Sequence, residues 1–312
     1  MNNQKLVVTT VLGANLFILL LASGFASAGE LETARPYAWD PYSIPVYPCC
    51  QIADGAITID GKLDEACWTN KPELTFQGLR QNHSKPDYHG TCRILWDSKY
   101  LYVGYDLIEP DVWATIKDAG KGYDQETRIM HEDMFVKFFV DPDGDGLNYI
   151  EIHVNPANAV ADVLTKWPYS KYAQQECGLA FVTNNPADWD WAVTGLITAV
   201  HVEGTLNNSQ DVDRGWSVEM ALPWDFIQKY AKSPCPPAKV RTWRCHVGRV
   251  HREKPGGARM YWTWPVFDVF DCHAPAQWGI LVFTGTQSMG WKIYSIGEKD
   301  KMTADGAAFS RE

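Results

Sequence analysis

Apolar and polar residues alternate with a period of two in many short stretches of the chain, a pattern typical of half-buried β-strands. Residues 91–96 and 101–107 flank a four-residue turn and are predicted to form a β-hairpin. Residues 134–140 and 149–154 predict a second hairpin. Helical patterns are rare, although proline fits the first helical position and Pro223 is predicted to begin a short helix. Further strands are predicted at 159–164, 191–201, 216–222, 241–250 and 278–283.

Many short strands separated by regular turns predict an all-β fold. We expect an antiparallel β-sandwich, of the jelly-roll or immunoglobulin-like kind, with one or two short helices. A sandwich of this size forms a single domain, which we place at residues 53–285. Residues 29–52 are rich in proline and tyrosine and are expected to run extended over the surface. Residues 286–312 lose the apolar pattern and are expected to form a polar tail.

The first 28 residues have the pattern of a removable signal peptide. Lys5 provides a short basic region, residues 16–22 are apolar, and Ala26-Ser27-Ala28 has the small residues of a cleavage site. The apolar run is shorter than the ~20 residues that a membrane-spanning helix needs. We therefore expect an exported protein, periplasmic or extracellular, that has no membrane segment after cleavage.

All eight cysteines follow the predicted cleavage site, and export would bring them into an oxidising compartment where disulfides form. Cys235 and Cys245 are close enough in sequence to close a loop. Cys49 and Cys50 are adjacent and are expected to pair with separate partners rather than with each other. Buried free thiols are the alternative, and the sequence leaves it open.

The chain is acidic, with 38 Asp and Glu residues against 28 Lys and Arg residues and a net charge of −10. This charge disfavours nucleic acids and anionic membranes as partners. Neutral sugars need no complementary charge and are compatible with it. The chain also has 14 Trp and 14 Tyr residues, most of which are expected in the core, with a few exposed as platforms for a ligand.

Two distant stretches carry recognisable patterns. Residues 57–68 read ITIDGKLDEACW, in which Asp60-Gly61 predicts a turn, Asp64 an N-cap and Trp68 a core side chain. Near the other end, residues 262–265 read WTWP, and residues 273–281 read HAPAQWGIL. Together they resemble the opening and closing signatures of family 9 carbohydrate-binding modules. The resemblance extends over roughly residues 53–284, with Trp278 in place of the usual phenylalanine before Gly279.

The resemblance implies a ligand site made by two aromatic side chains that hold a terminal sugar between them. Trp262 or Trp264 would supply one side, and Trp113 the other, which we expect to be exposed because it follows a Pro turn among charged residues. A period of two places Trp262 and Trp264 on one face of a strand, so both are core or both face the ligand. Arg249 and Arg252 match an R-V-x-R stretch of the family, and such arginines either bind sugar hydroxyls or pair with acidic neighbours.

Two acidic stretches are candidates for calcium. Glu132 and Asp133 match a family position and would hold a calcium ion, cap the following strand or simply form a solvated turn, and the solvated turn is slightly favoured. Residues 141–146 read DPDGDG, which resembles the first half of an EF-hand loop. Position twelve of that loop is Ile152 instead of glutamate, so we interpret it as a tight connection within a hairpin.

No catalytic motif is recognisable, and we predict a non-catalytic protein that binds an oligo- or polysaccharide, including a chain end, and that works beside a glycoside hydrolase. A non-covalent b-type haem module of related fold is one alternative, with ligands from Met130, His131, Met134 or Met260. A structural exported domain without a ligand is the other. No cofactor besides calcium is indicated.

Overall fold

A computed structural model of the chain describes residues 44–69, 71–78, 88, 90–117, 130–239, 241–266 and 271–286, and the backbone of 300–301 and 310–311. The chain divides into two units, Met1–Ala38 and Trp39–Glu312, and every described residue lies in the second unit. The predicted signal peptide at 1–28 therefore lies outside the described residues. None of the helices in the described part of the chain has the length and apolarity that a bilayer crossing requires.

Strands dominate the second unit, as the alternating pattern predicts. The strands are β1 (Val46–Gln51), β2 (Leu74–Thr75), β3 (Gln77–Gly78), β4 (Gly90–Trp96), β5 (Tyr100–Ile108), β6 (Phe135–Asp141), β7 (Tyr149–Val154), β8 (Val160–Thr165), β9 (Ala187–Asp188), β10 (Ile197–Glu203), β11 (Gly215–Pro223), β12 (Thr242–His251), β13 (Met260–Trp264), β14 (Gly279–Thr284), β15 (Asp300–Lys301) and β16 (Ser310–Arg311). The helices are α1 (Lys171–Glu176), α2 (Trp224–Ile227) and a 3-10 turn (Pro275–Gln277).

Hydrogen bonds join the strands into one long sheet in the order β10-β11-β5-β4-β1-β14-β12-β6-β7-β8-β9. Outside this order, β2 pairs with β4, and β13 pairs with β12 and β3. Both predicted hairpins are confirmed: β4 pairs antiparallel with β5, and β6 with β7. Strands β15 and β16 form a separate antiparallel pair.

The sheet curls so that its two halves face each other across one core, which makes the fold the expected β-sandwich. From the β4–β5–β11 half, the core receives side chains such as Val103 and Met220, and from the β6–β7–β12 half it receives Phe138 and Ile152. Alternate residues leave the core on the other face of each strand. The Tyr105 hydroxyl spans the core and donates a hydrogen bond to the Lys137 carbonyl at 3.0 Å.

Residues 46–51 belong to the middle of the sheet, although the sequence suggested an extended surface segment there. This stretch is β1, which pairs in parallel with β14 on one side and with β4 on the other. Tyr47, Cys49 and Cys50 are fully buried in it. Both faces of this strand are covered, so polar and apolar residues do not alternate along it. The prolines around it further conceal the strand in the sequence.

The ITIDGKLDEACW stretch is fixed by one buried carboxylate on β11. Glu219 accepts hydrogen bonds from the backbone N–H groups of Asp60 and Gly61 at 3.0 and 2.9 Å, and from the Trp68 indole at 3.0 Å. Gly61 has a φ of 90°, and a Cβ there would lie 2.5 Å from the backbone of Val200. The turn therefore needs glycine, and Trp68 is buried as expected.

The closing stretch is fixed by close packing of Trp264 on Gly279. A Cβ at Gly279 would lie 2.2 Å from the Trp264 indole, so the ring occupies the space that any other residue would need. Trp278, beside this glycine, is fully buried and donates from its indole to the Cys272 carbonyl at 2.8 Å. The two parts of the closing pattern thus form one packing unit.

All eight cysteines lie within the described ranges, and all are free thiols. Cys235 and Cys245, expected to close a loop, are not joined. Cys49, Cys92 and Cys245 lie together in the core, where burial raises the pKa of each thiol. The structure therefore matches the alternative of buried free thiols, and it does not show the expected disulfides.

Candidate functional site

A cleft of about 420 Å³ opens over the β6–β7–β12 half of the sandwich, on the face turned away from the core. We name it the Trp189 cleft. Its volume lies within the range of small-ligand sites, ~300–1,000 Å³. Loops from four places in the sequence form it, before β6, after β8, around β9 and between β12 and β13. Its lining residues are His131, Glu132, Tyr169, Asn185, Trp189, Arg252, Gly256 and Arg259.

Two aromatic side chains of the cleft keep part of their surface exposed. Tyr169 is 41% exposed and lies with its ring 4.5 Å from the His273 ring, edge to face. Trp189 is half-buried, and its indole lies 6.4 Å from the His131 ring in a T-shaped arrangement. Each ring contacts a histidine, and each keeps exposed surface in the lining of the cleft. Such rings are suited to the weakly positive C–H faces of a sugar.

Arg252 is a buried arginine in the lining of the cleft, held in place by backbone carbonyls. Its side chain is only 6% exposed, and its two terminal nitrogens donate to the backbone carbonyls of Gly257 and His131. Its Nε is buried and has no hydrogen-bond partner among the described residues. Arg252 was predicted from the sequence to contact the ligand, and it lines the cleft.

Trp113 contacts the backbone of Arg252. Its indole donates to the Arg252 carbonyl at 3.1 Å. The side chain is 5% exposed, so the expectation of an exposed Trp113 is wrong. The loop that carries it folds back because Asp213 accepts from the Val112 N–H at 2.6 Å. A sugar contact by Trp113 remains a prediction, but this burial does not favour it.

Arg249 is fully buried in an ion pair away from the cleft. It donates to Glu109 at 2.7 Å and to the carbonyls of Ile108 and Tyr88 at 2.7 and 3.0 Å. His251 approaches the same Glu109 oxygen at 2.6 Å. Burial lowers the pKa of Arg249, and Glu109 partly offsets that effect. Of the two alternatives in the sequence, pairing with an acidic neighbour is what the structure shows.

Trp262 and Trp264 lie on the same face of β13, as their spacing predicts, and that face is the core. They are 3% and 9% exposed, respectively. Trp262 packs edge-on against Tyr88, and Trp264 against Tyr47. Neither ring lines the cleft, so a sugar contact by them is an untested prediction without support from this geometry.

Beneath the cleft lies a buried polar floor of histidines and one carboxylate. The rings of His131 and His153 lie 5.7 Å apart, and Glu151 lies 3.4 Å from His273 Nδ1. The Nδ1 atom of His153 has no partner within the described ranges. Tyr149 lies at 3.0 Å from the same His273 nitrogen.

The charges of this floor follow from burial and from neighbouring cations. Burial, together with Arg259, His273, Lys137 and Arg252, lowers the pKa of His131 to about 4. Burial lowers the pKa of His273 as well, but Cys272 and Glu151 outweigh it and raise that pKa to about 9. Burial thus favours the neutral form of His131, whereas Cys272 and Glu151 favour the cationic form of His273.

The predicted calcium ligands are in different surroundings. Asp133 is fully buried and accepts hydrogen bonds from Thr115, Ile116 and Asn155, all between 2.5 and 3.1 Å. Glu132 is exposed at the rim of the cleft. Calcium binding by this pair stays a prediction, while the structure shows that Asp133 holds the preceding loop against the strand.

The DPDGDG loop connects β6 to β7, as interpreted from the sequence. Asp141, Asp143 and Asp145 bring carboxylate oxygens within 4.8 Å of one another, and burial raises the pKa of Asp141 to about 7. Lys232 reaches into the group and lies 3.0 Å from Asp143 and 2.7 Å from Asp145. The ammonium group offsets part of the negative charge, and Asp141 accepts from three N–H groups of the loop itself.

The methionines considered as haem ligands are core side chains. Met130 and Met134 are fully buried, and Met260 is 4% exposed. Met130 packs among Phe135 and other apolar residues in a cluster separate from the main core. Nothing in the described part of the chain supports the haem alternative.

Five lining residues were not predicted from the sequence: Tyr169, Asn185, Trp189, Gly256 and Arg259. Trp189 lies in the stretch TNNPADWD, where a run of turn residues precedes a large aromatic residue. Such an aromatic residue in a polar loop has no strand face on which to be buried. The run of turn residues before Trp189 was the signal available in the sequence.

The profile of the family described as carbohydrate family 9 binding domain-like matches residues 59–240. The chain is similar to a carbohydrate binding module family 9 from Caldicellulosiruptor kristjanssonii in complex with cellotriose, at 13% identity and a TM-score of 0.49, over 77% of this chain and 95% of that chain. It is also similar to a carbohydrate binding module family 9 from the same organism in complex with glucose, at 13% identity and a TM-score of 0.45, over 77% of this chain and 98% of that chain. No curated protein matches the chain in sequence.

Proposed function

The chain belongs to the carbohydrate family 9 binding domain-like family, and we propose that it binds a glycan, without catalysis, in the Trp189 cleft. One observation carries the choice of site: two partly exposed aromatic rings, Tyr169 and Trp189, line the same cleft as a buried arginine. The aromatic residues named from the family pattern are buried elsewhere.

The cleft has both kinds of contact that a sugar ring requires. Tyr169 and Trp189 supply apolar faces for the C–H groups. Asn185 and Glu132, both exposed, supply donor and acceptor groups for hydroxyls. Arg252 is fixed by its carbonyl partners, so it loses little side-chain freedom when a ligand binds.

Replacing either aromatic residue should weaken binding and leave the fold intact. For Tyr169→Ala or Trp189→Ala we expect a roughly tenfold loss of affinity, because an aromatic contact contributes on the order of 1 kcal/mol beyond its buried area. The measurement is isothermal titration of a panel of mono- and oligosaccharides into the purified protein.

The chain offers a matched control in Tyr172, which is 48% exposed on α1 and does not line the cleft. Tyr172→Ala should bind as the unchanged protein does. If sugar binding survives both Tyr169→Ala and Trp189→Ala, the cleft is not the glycan site.

We further propose that the protein is exported and assists a glycoside hydrolase in polysaccharide breakdown. The signal-peptide pattern of residues 1–28 and the family support this role. Cell fractionation with an antibody against the protein should place a processed form outside the cytoplasm. A full-length form retained in the cytoplasm would contradict it.

A further inference from the structure

The Trp189 cleft is basic in a protein that is acidic as a whole. Its lining includes two arginines, Arg252 and Arg259, and one carboxylate, Glu132, whereas the full chain has a net charge of −10. Arg252 and Arg259 come from the same loop between β12 and β13 and face one ligand volume. The local charge is therefore opposite to that of the chain.

The hydrogen bonds of Arg252 do not neutralise its charge, although the nearby carboxylates of Glu132 and Asp133 partly offset it. Its hydrogen bonds go to the carbonyls of Gly257 and His131, which are polar but carry no net charge. Within the described ranges, neither Arg252 nor Arg259 has an ion pair with a carboxylate at 4.0 Å or less. A buried cation without a paired anion is costly, and an anionic ligand would remove that cost.

His131 reports the same positive field. Besides burial, the groups that lower the pKa of this imidazole are all cationic: Arg259, His273, Lys137 and Arg252. These cations therefore favour a negative charge beside His131.

We propose that the Trp189 cleft is specific for an acidic glycan, in which a uronic acid carboxylate binds between Arg252 and Arg259 while the sugar ring lies against Tyr169 and Trp189. The proposal rests on the proposed function, because it names the class of sugar for the same site. A guanidinium group binds planar carboxylates and tetrahedral oxyanions alike, so a sulfated sugar is the alternative that the test has to exclude.

Matched sugars test this directly. Oligogalacturonate and oligoglucuronate should bind roughly tenfold more tightly than the corresponding neutral oligosaccharides, and the preference should shrink as salt is raised. The affinity for sulfated oligosaccharides of the same length is measured as a third comparison. A preference for sulfated over uronate sugars would overturn the proposed carboxylate.

Arg259 is the variant of choice because it is exposed, so its replacement should leave the fold intact. Arg259→Gln should remove most of the preference for uronates and change the affinity for neutral sugars little. Arg214→Gln is the matched control, since Arg214 is 85% exposed and pairs with Glu203 at the β10–β11 edge. It should leave both affinities unchanged.

A change at Glu132 should alter the affinity for uronates in the direction opposite to the change at Arg259. Glu132→Gln removes the negative charge beside Arg252 and should tighten uronate binding several-fold, whereas neutral sugars should gain nothing. If Arg259→Gln lowers the affinities for neutral and acidic sugars equally, the preference for acidic glycans is contradicted. This holds even if Tyr169→Ala abolishes the binding of both kinds of sugar. Binding that is indifferent to Tyr169→Ala and Trp189→Ala would instead reject the site itself.

Discussion

At the scale of single residues, the strongest constraints are polar groups that are buried with all their partners assigned. Glu219 accepts three N–H groups from a stretch more than 150 residues away in sequence. Asp133 and Asp213 hold loops in the same way. These carboxylates explain why acidic residues in strand patterns need not mark a ligand site.

Glu219→Gln should destabilise the protein by about 1–3 kcal/mol, because the amide presents an N–H group where the carboxylate accepted one. Chemical unfolding followed by tryptophan fluorescence measures it. Glu203→Gln is the control, since Glu203 is 47% exposed and its ion pair with Arg214 is at the surface. A control as costly as the Glu219 variant would contradict the assigned role.

Trp264→Ala should cost about 3–5 kcal/mol of unfolding free energy, because it leaves a cavity over Gly279. Trp113→Ala should also destabilise, since its indole is buried and bonded to the Arg252 carbonyl. Trp189→Ala should cost less than either. Thermal unfolding of the three variants tests this order. A melting temperature unchanged by Trp264→Ala would show that Trp264 is not a core residue and would favour the predicted sugar contact.

At the scale of elements, the strand that matters most is the one that the sequence pattern concealed. β1 joins β4 to β14 and so connects the two halves of the curled sheet. Its parallel pairing with β14 extends over five residue pairs. Without β1, the backbone groups at the edges of β4 and β14 would lose their partners in the interior.

A chain that begins at Ala53, the predicted start of the domain, should therefore fail to fold cooperatively. A chain that begins at Trp39 retains β1 and should fold. Near-ultraviolet circular dichroism and thermal unfolding distinguish the two. A sharp transition in the shorter chain would show that β1 is dispensable and that the sequence-based boundary is correct.

At the scale of the whole molecule, the two faces of the β6–β7–β12 half have different chemistry. One face carries apolar residues into the sandwich core, and the other carries Lys137, Glu151, His153 and His246 beneath the loops of the cleft. Burial lowers the pKa of His153 and His246 as well as that of His131. The floor of the cleft is therefore held in a form that acid disrupts.

This charge state predicts loss of stability in acid. The pKa of His131 is about 4 in the folded protein against an ordinary value of 6.5, so the unfolded chain binds a proton first as the pH falls. The stabilisation by the neutral imidazole is complete above pH 6.5 and is lost between pH 6.5 and about 4. His131→Gln should show a smaller fall in melting temperature over that range than the unchanged protein. Parallel pH profiles of the two would contradict it.

Most of the fold could be predicted from the sequence, and the site only in part. The hairpins at residues 91–107 and 134–154 follow from local alternation, and the turn at Asp60-Gly61 follows from its own residues. Arg252 and Glu132 were named from a resemblance and do lie in one cleft. Tyr169 and Trp189 were not found, because whether an aromatic ring is buried depends on elements far away in sequence.

The sequence by itself determined the class of fold, the family, and which residues could lie on the same face of a strand, since these follow from local periodicity and short motifs. Only the tertiary structure decided which faces are covered. Period two placed Trp262 and Trp264 together, but it could not say that β12 and Gly279 would enclose them in the core. Burial is a property of the partner surface, and here that surface leaves Tyr169, Trp189 and Arg259 accessible while Arg249 and Trp113 are enclosed.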